Sequence, residues 1–165
     1  MLPNRRLAEL EKILDIEYRK ISKFQERMAH TASVPEEFDL EERIRKSLMV
    51  VRNYEGEYWD ILRNEVSACP LEETEASHAI VEVVRAVELI EGKSDSDCPD
   101  ELNQLLGEVC DTLKEPENAA PSKVKLALPL IPGILSYELE LDTAISLRRA
   151  FQPLKQLFKK AIAKK

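Results

Sequence analysis

Leu7, Leu10, Leu14, Ile21, Phe24 and Met28 recur at intervals of three and four residues, interrupted only by Glu17. That period sets side chains on one stripe of a helix, because about 3.6 residues complete a turn. It predicts a long helix over residues 4–30, and its heptad-like spacing predicts a partner helix packed lengthwise against it. Ile44, Leu48, Val51, Tyr58 and Leu62 supply a matching stripe for a second helix ending near Val66. Between the two, Ser33-Val34-Pro35-Glu36 reads as a helix start. The Ser33 hydroxyl can accept an orphan first-turn N–H while Glu36 reaches back in a capping box, and Pro35 is tolerated where donors have no partner. Two helices near thirty residues joined by a short loop make a long antiparallel hairpin.

Composition supports helices elsewhere in the chain. Only 4 glycines occur among 165 residues, aromatics are 5%, and 44% apolar residues suffice for a core beside 33% charged ones. A third helix is predicted over residues 73–91, with Ile80, Val83, Val84, Val87 and Ile90 facing inward and Gly92 as a left-handed cap. After the polar loop GKSDSDCPD, Pro99 opens a fourth helix carrying Leu102, Leu105, Leu106, Val109 and Leu113. The fold class read from this pattern is mainly α: an antiparallel helical bundle with a long N-terminal hairpin, a small C-terminal β-hairpin and a basic amphipathic last helix. In domain terms, residues 1–113 form the bundle, with the hairpin at 4–66 and a second helix pair at 73–113. Residues 114–122, KEPENAAPS, have a linker's composition, and 123–165 hold the β-hairpin and tail helix.

The β-hairpin rests on two alternations. Val124, Leu126 and Leu128 alternate with Lys123, Lys125 and Ala127, and Tyr137, Leu139 and Leu141 alternate with Glu138 and Glu140. Pro132-Gly133 suits the centre of a type II turn between them. A lone two-stranded hairpin is marginal in water, so it must pack on a helix or pair with strand from another chain.

In the tail, Asp142 is placed to cap a helix from Thr143 to about Ala163. Leu147, Phe151, Leu154, Phe158 and Ile162 form its apolar stripe, Arg148, Arg149, Lys155, Lys159 and Lys160 surround it, and Pro153 kinks or restarts it. From Thr143 to Lys165 there are seven basic residues and no acidic one, leaving the first 142 residues at a net −14. Either the tail folds back on an acidic body, or it presents a cationic surface to a membrane, a nucleic acid or an acidic partner.

Catalytic patterns are sparse. His30 sits at a helix end and His78 near a helix start, and the sequence contains neither CxxC nor HExxH. A carboxylate-bridged metal site in a bundle needs Glu-x-x-His motifs on facing helices, and no such pair occurs. Four glycines build no phosphate loop. Glu36, Glu37, Glu41 and Glu42 complement the dipole at the start of the second helix. Tyr54, Tyr58 and Trp59 cluster among acidic neighbours, which disfavours nucleic acid; they pack the core, or mark a contact surface if Trp59 is exposed. Gly56 beside them leaves room for another helix to approach. An enzyme would require an unusual site, such as His78 and Cys110 meeting in one pocket. Cys69, Cys98 and Cys110 read as free thiols of a reducing cytoplasm, with no signal peptide, and the longest apolar run is about half of the ~20 residues a membrane span requires.

Two stretches carry a family resemblance. LEKILDIEYRKISKFQERMAHTASVPEEFDLEERIRKSLMVVRNYEGEYWDIL resembles helical-hairpin segments of large cyanobacterial signalling and conflict proteins. The ending KVKLALPLIPGILSYELELDTAISLRRAFQPLKQLFK is similar to a tail that recurs in such proteins, with a proline-interrupted apolar core, SYELELD and a basic helix. There, small effector-associated or adaptor regions lie beside NACHT-type NTPases, TIR domains or caspase-like proteases. The resemblance implies a non-enzymatic module that recruits or oligomerises effectors through protein contacts, with no cofactor or metal. The candidate contact residues are Arg148, Arg149, Phe151, Leu154, Lys155, Phe158, Lys159 and Lys160 of the tail, and Tyr54, Tyr58 and Trp59. The alternative is a peripheral membrane-binding or membrane-acting effector using the apolar hinge and cationic tail.

Overall fold

The computed structural model of the chain describes residues 2–93, 100–135 and 147–163, and among these it is helical, with no strand. The fold is mainly α. The chain divides into two compact units, the first ending at Tyr58 and the second starting at Trp59.

The first unit is a helical hairpin. It consists of α1 (Leu2–His30) and α2 (Val34–Val66) as far as Tyr58. Leu7, Leu10, Leu14 and Ile21 are buried as their spacing predicts, and Tyr18 fills the position beside Glu17 where the stripe is broken. Phe24 and Met28, nearer the turn, are half-buried. On α2, Leu40, Val51 and Tyr58 are buried. The Arg6 guanidinium grips the Glu57 carboxylate with bonds of 2.7 and 3.0 Å, while Arg27 lies 3.7 Å from Glu36 at the other end. Both links accord with the antiparallel order that the short connection imposes.

The turn uses half of the predicted capping box. Ser33 Oγ accepts the Glu36 N–H at 3.4 Å, satisfying an orphan donor. The Glu36 carboxylate does not return to the Ser33 N–H. It accepts the Thr31 hydroxyl at 2.9 Å, and Thr31 Oγ1 in turn accepts the Ser33 N–H at 3.2 Å. Thr31 has inserted itself into the motif.

The second unit contains the end of α2, then α3 (Glu73–Lys93), α4 (Asp100–Lys114) and α5 (Ala120–Ala127). A 3₁₀ turn (Leu128–Leu130), α6 (Ile131–Leu135), α7 (Leu147–Ala150) and α8 (Gln152–Ala163) follow. The buried face of α3, formed by Ala76, Ala79, Val83, Val87 and Ile90, receives α4, α5, α7 and α8. Leu102, Leu106, Val109 and Leu113 of α4 are each essentially inaccessible to water.

Several expectations are corrected. The stretch from Lys123 to Leu128, read as a first strand, is helical, and Ala120, Val124, Ala127, Leu128, Ile131, Ile134 and Leu135 form a buried helical stripe through it. Pro132-Gly133 is no type II turn: it lies inside α6, and no described glycine has the positive φ that such a turn requires. Pro129 and Pro132 instead occupy first-turn positions of the 3₁₀ turn and of α6, where a missing N–H costs little. The prolines cut one helical path into short pieces. The second alternation, at 137–141, and the Asp142 cap lie outside the described residues, as do Cys98 and Pro99. Pro153 restarts the tail helix at the second position of α8, one of the two outcomes expected of it. Gly92 does not cap α3, which continues to Lys93.

Gly56 does not accommodate a neighbouring helix either. A Cβ placed there, or on Gly107 in α4, meets nothing within 4 Å. Both glycines carry the conformational cost of a helix interior without a packing return. Gly56→Ala and Gly107→Ala should therefore each raise unfolding stability by up to about 1 kcal/mol, read from the urea midpoint at unchanged slope.

Candidate functional site

The tail's apolar stripe is interior. Phe151, Leu154 and Phe158 have 0–1% of their surface exposed, and Leu147, Leu157 and Ile162 are buried with them. In this conformation these three candidate contact residues are core residues of the second unit, and α8 has no apolar face left for lipid. The basic candidates ring that stripe: Arg149 and Lys160 are exposed, whereas Arg148, Lys155 and Lys159 are half-buried. Lys160 Nζ donates to Glu75 Oε1 on α3 at 2.5 Å. That bond and the Glu75 charge raise the Lys160 pKa above its ordinary range, against a small opposing effect of burial.

Beside this pair, α3 and α8 border an open, shallow cleft of about 490 Å³ lined by Glu75, His78, Ala79, Gln156, Leu157 and Lys159, among others. His78 is exposed, and Cys110 is buried in α4 without lining the cleft, so the imidazole and the thiol do not share a pocket. Glu75 and His78 stand three residues apart on α3, with Glu75 engaged by Lys160. Among the described residues, no group of three His, Cys, Asp or Glu side chains could hold a metal ion, and no helix is long and apolar enough to cross a membrane.

The aromatic cluster on α2 is also largely internal. Tyr58 and Trp59 are buried and Tyr54 is half-buried, so Trp59 serves packing and does not mark a contact surface. The Tyr58 phenol donates to Glu11 Oε1 at 2.7 Å. Burial, reinforced by that bond and by the charges of Glu11 and Glu55, pushes its pKa well above that of a free phenol. Nearby, the buried Glu55 carboxylate accepts the Tyr18 hydroxyl at 3.0 Å, a further polar tie between α1 and α2.

Other apolar side chains are exposed, among them a row on α2. Val34, Phe38 and Met49 of α2 are 60%, 67% and 64% exposed. Offsets of four and eleven residues bring them to one side of a 3.6-residue helix, turned away from Leu40, Val51 and Tyr58. The signal was present in the sequence as a second, sparser apolar period on α2, hidden behind the inward stripe. No protein-family model, curated protein or solved structure matches this chain.

Two outcomes follow from this packing. Phe158→Ala should cost about 3–5 kcal/mol of stability, while Arg149→Ala should stay within about 0.5 kcal/mol, both measured by chemical denaturation. For Tyr58 the sign follows from its raised pKa. The unfolded phenol ionises near pH 10 while the folded one stays protonated, so its contribution is whole below about pH 10 and is lost as pH rises above it. The fall in stability between about pH 9 and 11 should be shallower in Tyr58→Phe than in the wild type, the difference in slope being at most about 1.4 kcal/mol per pH unit.

Proposed function

We propose that this chain is a non-enzymatic protein–protein interaction module that recruits or oligomerises signalling or effector proteins, and that the outward face of α2 is its contact surface. The observation that carries this reading is the exposed row of Val34, Phe38 and Met49. Single exposed apolar residues are ordinary on a protein surface. Three large ones aligned on one helix face, with the charges of Glu42 and Arg45 between Phe38 and Met49, make a mixed surface suited to association. The resemblance of the N-terminal hairpin and the tail to adaptor regions of multidomain signalling proteins supports the same reading.

The membrane alternative has less to rest on. It requires Phe151, Leu154 and Phe158 to leave the interior of the second unit, at the cost of the packing they make there.

A photo-crosslinking side chain introduced at Phe38, in cells that express the protein, tests the assignment. Protein adducts should form at this position and be absent from a control at the exposed Lys12 of α1. A position 38 that crosslinks no more than position 12 would remove α2 from the role.

A further inference from the structure

The outward face of α2 is complementary to itself. Phe38, Glu42, Arg45, Met49 and Arg52 follow one another at steps of four, three, four and three residues. This is the period of a seam between two helices packed lengthwise. Reversing the helix about a point midway between Arg43 and Ile44 superposes the row from Phe38 to Met49 on its own chemistry. Phe38 then falls opposite Met49, and Glu42 falls opposite Arg45. Each match occurs twice, once on either side of the axis, as an isologous two-fold interface requires.

We propose that a second copy of this chain occupies this face, in an antiparallel α2–α2 contact centred between Arg43 and Ile44. The proposal rests on the interaction-module reading and names the partner. Charge selects both partner and direction. A parallel pair would set Glu42 against Glu42 and Arg45 against Arg45, whereas the antiparallel pair joins opposite charges at both ends. A partner of uniform charge would satisfy one of these residues and repel the other.

The side chains are available for the exchange. Arg45 and Glu42 are 72% and 58% exposed, and within one chain they lie 3.8 Å apart in a surface pair of small worth. Phe38 and Met49 are the apolar contacts between which these charges sit. Phe38 supplies a broad rigid surface, and the flexible thioether of Met49 can conform to it. From Phe38 to Met49 the matched row extends over about 17 Å.

Sedimentation velocity on the full chain, over a micromolar to submillimolar range and at two salt concentrations, tests the contact. The wild type should approach twice the monomer mass with rising concentration, less readily at high salt. Glu42→Arg sets like charges across the axis at both ends, and so does Arg45→Glu. Each variant alone should associate at least about tenfold more weakly. Mixed in equal amounts, they should form a heterodimer, since one chain then carries two cations and the other two anions along the seam. Circular dichroism of each variant establishes that it is folded.

A wild type that stays monomeric throughout overturns the proposal. So does a dimer that survives Phe38→Asp, or a mixture that recovers no association. Crosslinking at position 38 separates these failures from failure of the module itself. An adduct with a different protein leaves the interaction reading standing and removes the second copy as occupant.

Discussion

The second unit depends on one helix face. Ala76 and Ala79 at the start of α3, followed by Val83, Val87 and Ile90, form a narrow apolar strip that four other helices meet. α8 is among the helices that pack on α3. Leu154, Phe158 and Ile162 of α8 bury themselves in return. Full burial of such side chains is worth about 1.5–3 kcal/mol each, far more than the exposed ion pairs around them. Packing of α3 therefore decides where the cationic tail goes, and the charges accommodate to it.

That order of effects accounts for the strong charge asymmetry. A helix dense in lysine and arginine can fold back because its charged groups ring an apolar stripe, with long stems along the surface and heads toward water. The Lys160–Glu75 bond joins the tail to the acidic α3. What remains is a basic rim on a packed element, a different object from a free amphipathic helix with an uncovered apolar side.

The first unit is built on other terms. Its two helices share an apolar seam, and polar ties cross it: Arg6 with Glu57, Tyr58 with Glu11, and Tyr18 with the buried Glu55. A buried carboxylate leaves little latitude in the register of its helix, because a shift of one residue would separate it from its donor. The hairpin thereby holds α2 with one face inward and presents the other, with Val34, Phe38 and Met49, to the outside.

Much of this was legible in residue spacing. The period of three and four from Leu7 to Ile21 dictates α1, Ser33 with Pro35 marks the start of α2, and Leu102, Leu106 and Leu113 of α4 announce their own burial, while Leu105 is half-buried. These signals are local, since a helix satisfies its backbone internally and needs only one apolar side. The stretch after Lys123 was misleading because six residues of alternating lysine and apolar side chains fit a strand and a helix turn equally well. Contacts with α3 and α4 selected the helix, and its prolines then fell at segment starts. Thus the sequence by itself determined the helical class, the hairpin, its capped turn and the charge layout. Only the tertiary structure decided that Phe151, Leu154 and Phe158 are interior, that Tyr18 replaces Glu17 in the seam, and that Phe38 and Met49 stay outside. An apolar stripe specifies that something must cover it, but the identity of the cover depends on which other surfaces the whole chain brings within reach.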